Sequence, residues 1–393
     1  MRAMAKKETM QRILVVIPTS TFTQRQLLEG LLAYAHEKPG ASWQLHLDLH
    51  DLNRQHLKDL KTWNCRGIIA YILNDRQRRD FIATRLPAVF IEPTLHSPHK
   101  STPGNVVSFL NDHSEEGRTA AGYFLGRRYR SFAYIGTAKP TFWSDERARG
   151  FAERLAEAGF APAVYPAPSP REQNDFALES HRLARWLKRL PKPTALFCVH
   201  DRRAQQVIAT SASAGVKVPD DLAVLGVDND ELLCEMTVPA ISSIPVGDRE
   251  RGRKVGEALD ALMSRRRTDR VVISRHKAVV TRRSTDTQAI SDVFVARAVA
   301  YATSHLKSHP TVPELASAAG CSTTILNRRA RALLGNSIGS EIARLRLDAA
   351  ISMLRASNRT VDEIATSCGF CGASHLGLRV KAATGKTPRE FRG

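Results

Sequence analysis

The sequence lacks the features that would place the protein in a membrane or in an oxidising compartment. No segment approaches the ~18 consecutive apolar residues that a membrane helix needs. The apolar run from Ile13 to Pro18 is shorter than the ~7–15-residue core of a signal peptide. Six cysteines in 393 residues do not form a disulfide framework, and they suit a reducing compartment. We therefore expect a cytoplasmic protein.

The sequence also lacks the motifs of common enzyme classes. The segment from Pro18 to Phe22, after the first predicted strand, contains no glycine, so it gives no dinucleotide-binding signal. No Ser-His-Asp or paired-Glu constellation is identifiable. Cys368-Gly-Phe-Cys371 and His375 have zinc-like spacing, but a second pair of ligands is missing. The sequence predicts no catalytic residue, no cofactor and no metal.

One charge sign is in excess. The chain has 58 Lys and Arg against 39 Asp and Glu, a net charge of +19. This balance favours a polyanionic partner, either nucleic acid or an anionic membrane surface. Residues 287–393 contain 14 basic and 7 acidic side chains, which contribute +7, so most of the excess lies earlier in the chain. The charge indicates a class of partner but not where that partner binds.

Residues 12–285 alternate short β-branched runs with stretches of helical period. This order predicts parallel sheets covered by helices on both faces. The alternation of strand and helix patterns stops between Ser97 and Asn105 and then resumes, which favours two similar α/β lobes. Ligands of open parallel sheets bind beyond the carboxyl ends of the strands, so a cleft between the lobes is the expected site. The predicted lobes are about 12–110 with 245–270, and 111–244 with 271–285.

The C-terminal part is predicted to be all helical and contains an internal repeat. Val312–Cys321 aligns with Val361–Phe370 at an offset of 49, and later positions align at an offset of 50. In each copy a glycine, Gly320 or Gly369, separates two short helices, which is the helix-turn-helix pattern. The second helix of such a unit enters the DNA major groove. Predicted bounds are a linker at 286–293, a domain at 294–393, helix-turn-helix units at about 312–334 and 361–383, and a linker helix at 337–356.

The tail resembles the AraC family of transcriptional regulators. The resemblance rests on Gly320–Arg329, on Ile342–Ala350 and on the closing Thr384-Gly-Lys-Thr-Pro. It implies double-stranded DNA as a partner and a homodimer, because one unit of this kind reads one half-site. Leu378 stands where the second unit usually has an arginine. The DNA-contacting residues implied by position are Thr323, Thr324, Asn327, Arg328, Ser374, His375 and Arg379.

The front part resembles the sugar-sensing XylR-like regulators, in which a LacI-like periplasmic-binding-protein fold precedes the AraC-type domain. The residues that carry this resemblance are Phe142–Phe151, Val227–Glu235 and Arg282–Asp286. It implies a small sugar effector, xylose or a related pentose. It also implies activation of sugar-utilisation genes, with RNA polymerase as a further partner.

Residue chemistry is consistent with a sugar site. Sugars present hydroxyls and apolar C–H faces, so their sites combine charged or amide side chains with an aromatic ring. Arg147 lies near the start of a predicted helix, and Asp228 and Asp201 follow predicted strands. For Asp201 a helix N-cap is the favoured interpretation. The aromatic platform is either Phe22 or Trp143.

Two other functions remain open on the sequence alone. One is a cytoplasmic sugar-binding or sugar-converting protein with an accessory helical domain, which would need a catalytic constellation that we do not find. The other is an architectural DNA binder, which would leave the α/β part without a role. The combined residues favour a DNA-binding regulator over both.

Overall fold

The computed structural model describes most of the chain in two α/β lobes and a helical domain. It describes residues 10–37, 43–47, 57, 59–60, 62–91, 103–139, 141–169, 172, 175–247, 249–274, 278–286, 292–356, 359–385 and 387–391. No helix among these residues is long and apolar enough to span a bilayer.

The first lobe is built on a six-stranded parallel sheet with the order β11-β5-β4-β3-β1-β2. Its central strands are continuous apolar runs whose residues are buried, as expected when helices cover both faces of a sheet. The strands are β1 Gln11–Val16, β2 Trp43–Leu47, β3 Cys65–Tyr71, β4 Ala88–Ile91, β5 Val106–Asn111 and β11 Val271–Ser274.

The second lobe is built on a five-stranded parallel sheet with the order β10-β9-β8-β6-β7. Apolar side chains alternate between two clusters, one on each face of this sheet. The parallel α/β class predicted from the alternating pattern is therefore confirmed. The strands are β6 Phe132–Ile135, β7 Pro162–Val164, β8 Thr194–Cys198, β9 Leu222–Asp228 and β10 Ser242–Pro245.

Helices cover the two sheets. The helices α1 and α8 pack side by side on the first lobe, and α3 and α4 do the same on the second. The described helices of the two lobes are α1 Phe22–Glu37, α2 Asp75–Ala83, α3 His113–Gly126, α4 Phe142–Ala156, α5 Phe176–Arg189, α6 Asp201–Ala214, α7 Glu231–Met236 and α8 Arg249–Met263.

The structure corrects the predicted division of the chain between the lobes. We assigned 271–285 to the second lobe, but β11 pairs with β5 at the edge of the first sheet. Residues 278–286 do join the second lobe: Val280 bridges to Ser243, and the Ser284 hydroxyl donates to the Val224 carbonyl at 2.6 Å. Val271-Val-Ile273 is itself a β-branched run, but a local pattern of this kind does not show which of two sheets a strand joins.

The helical domain contains the predicted repeat as matching local geometry. Both units begin with a capping box, in which the Glu314 carboxylate accepts from the Thr311 N–H and Glu363 from Thr360, each at 2.6 Å. Gly320 and Gly369 have φ values of +77° and +76°, which the turns require. The helices are α9 Val293–Ser304, α10 Val312–Ala319, α11 Thr323–Leu334, α12 Ile338–Ala356, α13 Val361–Ser367 and α14 Ala373–Thr384.

The long helix α12 joins the two units into one domain. Ile338 and Ile342, near its N-terminus, belong to the apolar cluster of the first unit, and Ala350 and Leu354 to that of the second. Each unit therefore packs against a different end of the same helix. In the first unit Leu315, Leu326 and Leu334 are buried, and Leu333 packs against the same cluster while partly exposed.

Two glycines allow the helices α3 and α4 to approach closely. A Cβ atom at Gly117 would collide with the Arg147 carbonyl oxygen, and one at Gly150 would collide with the Ser114 carbonyl oxygen. Because both obstacles are helix backbone, they could move aside only if the two helices separated. This contact fixes α4, which carries Arg147, to α3.

The substitution Gly150→Ala is therefore expected to lower the free energy of unfolding by about 1–3 kcal/mol, the usual cost of overpacking. Gly122→Ala is the matched control, since Gly122 lies in α3 with open space around its Cβ position. In a helix Ala is better than Gly by up to about 1 kcal/mol, so this variant should be no less stable than wild type. Thermal unfolding midpoints of the two variants test the packing, and equal midpoints would contradict it.

Candidate functional site

A cavity of about 200 Å³ lies between the two lobes, where the strands of both sheets end. Polar side chains enter it from both sides, and apolar side chains form the rest of the wall. About half of the lining residues are the last residue of a strand or lie within two residues after it, as expected for parallel sheets, and most of the others come from helices. The lining residues are Ile17, Thr21, Thr23, Gln24, Leu27, Tyr71, Ile91, Asn111, His113, Trp143, Arg147, His200, Asp228, Val246 and Arg251.

Arg147 is held rigidly at this cavity. Its side chain is buried; the Nε–H donates to Glu116 Oε2 at 2.5 Å and Nη1 donates to the Val199 carbonyl at 2.6 Å. Burial lowers the pKa of Arg147, but the carboxylates of Glu116 and Asp228 more than compensate and raise it above its usual value. Arg147 is therefore a fixed cation, and these bonds use only two of its five N–H donors.

Glu116 is the buried anion that partners this cation. Burial raises the pKa of Glu116, but Arg147 and His113 outweigh that effect and hold it below the usual range. His113 Nδ1 lies 3.1 Å from Glu116 Oε2. A buried carboxylate is tolerated only when it is paired in this way. Glu116 and His113 were not among the sequence candidates, because a Glu inside a helix gives no pattern that separates it from a surface residue.

Asp228 faces the same cavity from an unusual backbone turn. It ends β9 with a φ of +108°, and Asn229 follows with a φ of +53°. Non-glycine residues rarely adopt such angles, which cost on the order of 1–3 kcal/mol each and cluster at functional sites. The structure thus brings Asp228 and Arg147, two of the predicted ligand-binding residues, to one cavity.

Asp201 lies beneath that turn and is not one of the cavity-lining residues. Its carboxylate accepts from the Ser243 hydroxyl at 2.5 Å and from the Asp230 N–H at 2.9 Å. Ser243 Oγ in turn accepts from the Asn229 N–H at 3.0 Å. Asp201 therefore holds the backbone that presents Asp228. It is not the helix N-cap either, because the His200 side chain caps α6.

His200 is a cavity residue that the sequence candidates missed. Its Nδ1 accepts from the Arg203 N–H at 3.0 Å, which leaves Nε2 to carry the proton of the neutral ring. Burial and the nearby Arg147 lower the pKa of His200 to about 4, so the ring is neutral at pH 7. It can offer an N–H donor to a ligand. Its place two residues after the end of β8 was the available signal.

Trp143, not Phe22, supplies the aromatic surface. Trp143 lines the cavity, and the Arg147 guanidinium carbon lies 5.1 Å from its ring centroid. Phe22 begins α1, but its neighbours Thr21 and Thr23 line the cavity instead. Of the two platforms that the sequence left open, the geometry favours Trp143.

The first lobe contributes amide groups. Asn111 Oδ1 accepts from Arg251 Nη1 at 2.6 Å. The Gln24 Oε1 atom is buried, and it has no hydrogen-bond partner among the residues that the structure describes. Such an atom costs about 1–3 kcal/mol unless a partner arrives. A hydroxyl-bearing ligand in the cavity would supply that partner.

The first helix-turn-helix unit presents an exposed surface at the start of α11. Thr324 and Arg328 are exposed, and Thr323 is half-buried. Asn327 is a predicted DNA contact, but its Oδ1 accepts a hydrogen bond from the Ile338 N–H at 3.3 Å. It therefore stabilises the start of α12. Arg329 is bound to Asp292 at 2.6 Å and lies over the Phe294 ring. Arg328 is thus the cation best placed to reach DNA.

The second unit presents a different surface at the start of α14. Ser374, His375 and Arg379, the residues predicted to contact DNA from this unit, are exposed. Leu378, at the position equivalent to Arg328, is 71% exposed. An exposed leucine cannot form the bidentate bond that arginine makes to guanine, but it can contact a thymine methyl group. The two units are therefore expected to read different bases.

Comparisons with known proteins match both parts of the chain. Residues 121–285 match the periplasmic binding protein-like domain, and residues 315–393 match a helix-turn-helix domain. The chain is 26% identical to the xylose operon regulatory protein of Escherichia coli K12 over 386 residues, covering 97% of this chain and 96% of that protein. It is 23% identical to the xylose operon regulatory protein of Haemophilus influenzae, covering 98% and 99%.

Solved structures show the same architecture. The structure described as the xylose-binding transcription activator xylR has a TM-score of 0.62 and 24% identity, and the match covers 98% of both chains. These relatives are transcriptional regulators rather than enzymes, and each aligns with nearly the whole of this chain. The regulator interpretation of the sequence is thereby confirmed, and the sugar-converting alternative is not supported.

Replacing Asp201 by Asn should remove a pH dependence of stability. Burial raises the pKa of Asp201 to about 7 in the folded protein, although the bonds from Ser243 and Asp230 lower it; in the unfolded chain it is near ~3.9. Between these two pKa values the Asp201 carboxyl is protonated in the folded chain and ionised in the unfolded chain. The contribution of Asp201 to the free energy of unfolding therefore falls as the pH rises from about 4 to about 7.

Urea unfolding of wild type and Asp201→Asn across this range tests the shift. His200 titrates in both proteins, so its effect cancels in the difference. Wild type should lose stability relative to the variant as pH rises, and a difference that does not change with pH would contradict the assignment.

Arg328→Ala should weaken binding to specific DNA by about 1–3 kcal/mol and relax base preference at one position. Arg329→Ala is the matched control, because the Arg329 side chain is engaged by Asp292 and Phe294. It should alter stability rather than base preference. Binding to DNA selected by the full-length protein, and to single-base variants of it, measures both effects; unchanged base preference in Arg328→Ala would remove Arg328 from the reading surface.

Proposed function

We propose that this chain, a XylR-like transcriptional regulator of the AraC family, binds a small sugar in the cavity between its lobes and changes its DNA binding in response. The observation that carries the proposal is the convergence of Arg147 and Asp228 from one lobe with Gln24 from the other. A ligand that touches both lobes favours the arrangement in which they are close together.

The chemistry of the cavity matches a polyhydroxy ligand. Arg147 and neutral His200 can donate hydrogen bonds, whereas Asp228 and Gln24 can accept them from hydroxyls. Trp143 supplies an apolar face for C–H groups. A lining with both donors and acceptors suits hydroxyls, each of which both donates and accepts, better than it suits a simple anion.

The size of the cavity favours a monosaccharide. At about 200 Å³ it is below the ~300–1,000 Å³ typical of drug-sized sites. Xylose or a related pentose is the effector that we propose, since proteins named as xylose operon regulators are similar over nearly the whole chain. The same similarity supports activation of sugar-utilisation genes.

We further propose a cytoplasmic homodimer that acts at a promoter. One double helix-turn-helix domain reads one half-site, so a dimer would read two. An activator of this kind would also contact RNA polymerase. The net charge of +19 favours association with DNA and makes it sensitive to salt.

Asp228→Asn should weaken binding of D-xylose, or of the pentose that binds best, by about 10-fold to 100-fold. This is the loss expected for a hydrogen bond to a charged group, about 1.5–3 kcal/mol. Asn tolerates a positive φ better than most residues, so the turn should survive. Calorimetric titration with a panel of pentoses measures the effect.

Asp145→Asn is the matched control, because Asp145 is exposed on α4 and is not a cavity-lining residue. It should bind sugar like wild type, and both variants should bind DNA without sugar. Undiminished sugar affinity in Asp228→Asn would overturn the site.

A further inference from the structure

An ion cluster around a buried glutamate joins the second lobe to the DNA-binding domain. Glu341, in the first turn of α12, has no exposed side-chain surface. Its carboxylate accepts from Arg344 Nη2 at 2.6 Å and from Arg128 Nη2 at 3.2 Å. Burial raises the pKa of Glu341, but the two arginines outweigh this and keep it ionised. One of its two cations thus belongs to a different domain.

Arg128 is held in position at the corner that follows α3. Its φ is +65°, a left-handed angle that restricts where the side chain can point. The neighbouring Arg127 lies over the Tyr123 ring, 3.8 Å from its centroid, and donates to the Thr285 carbonyl at 3.4 Å. Thr285 lies just before the linker to the DNA-binding domain. The corner is therefore fixed to the segment where the chain leaves the sensor.

The opposite end of α3 lies at the cavity. His113, its first residue, lines the cavity, and Glu116 one turn later binds Arg147. The helix has 14 residues and spans roughly 21 Å at 1.5 Å per residue. Because the glycine contacts hold α3 against α4, the two helices and the Arg147 side chain form one rigid unit.

Arg128 contacts α12 at Glu341, and both DNA-reading units pack against this helix. Its N-terminal turns pack in the cluster of the first unit and its later turns in that of the second. A shift at Glu341 would therefore move both units relative to the sensor while leaving their own cores intact.

We propose that the contact between Arg128 and Glu341 transmits the sugar signal to the DNA-binding domain, with α3 as the rigid connection from the cavity. This inference rests on the proposed function, because it requires that sugar and DNA binding are coupled. Sugar bound to Arg147 biases the position of α3, and Arg128 converts that bias into an orientation of α12. Coupling of this kind is a free-energy difference between two arrangements, and it is reciprocal.

The test is the ratio of DNA affinities with and without D-xylose, or the best-binding pentose, measured on full-length protein. For wild type we expect a ratio of about 5-fold to 150-fold in either direction. Arg128→Ala should bring the ratio close to one while sugar binding without DNA is retained. Arg128→Lys keeps the cation and should restore part of the coupling.

Arg130→Ala is the matched control. Arg130 is exposed two residues away, and the structure describes no ion pair between it and the DNA-binding domain. This variant should keep the wild-type ratio. A loss that reflected only the removal of surface charge would appear in both alanine variants, and that result would overturn the inference.

The remaining outcomes separate this inference from the proposed function. If wild type shows a sugar effect and Arg128→Ala keeps it in full, the transmission route is wrong and sugar gating stands. If wild type binds sugar but its DNA affinity does not change, sugar gating is wrong, and this inference is overturned with it.

Discussion

The buried pair of Arg147 and Glu116 is the interaction on which the rest of the sensor depends. It fixes a cation at the mouth of the second lobe, and it joins the helix that carries that cation to α3. A buried ion pair contributes little net stability compared with apolar packing. Its presence here is therefore better explained by the fixed position that it gives the Arg147 guanidinium than by stabilisation of the fold. Each further feature of the site, from Trp143 beside the guanidinium to Asp228 facing it, is organised around that fixed charge.

Much of this arrangement could be predicted from the sequence. The carboxyl-end rule for parallel strands identified Asp228, and the spacing of the repeat identified both DNA-reading helices to within a residue or two. The same rule suggested Asp201 and Phe22, which lie beside the cavity without lining it, because a position along the chain does not say which way a side chain points. His200 and Asn111 also follow strands and could have been found. Glu116 and Gln24 could not, since their roles depend on contacts between distant segments.

The lobe boundary and the interdomain contact illustrate the same limit. β11 lies at the edge of the first sheet because of where the chain crosses between lobes, and that crossing leaves no mark in local hydrophobic pattern. Arg128 belongs to a run of arginines that the sequence presents as an ordinary solvated helix end. Only the fold shows that one of them meets a buried glutamate 213 residues later in the chain.

The central claim is that one protein couples a sugar in the cleft to DNA at the helical domain. Because coupling is reciprocal, the most direct measurement is the sugar dissociation constant of the full-length protein, determined by calorimetry with and without a saturating specific DNA duplex. The account predicts that DNA changes the sugar dissociation constant by the same factor by which sugar changes DNA affinity. A sugar dissociation constant that is identical with and without DNA would contradict it.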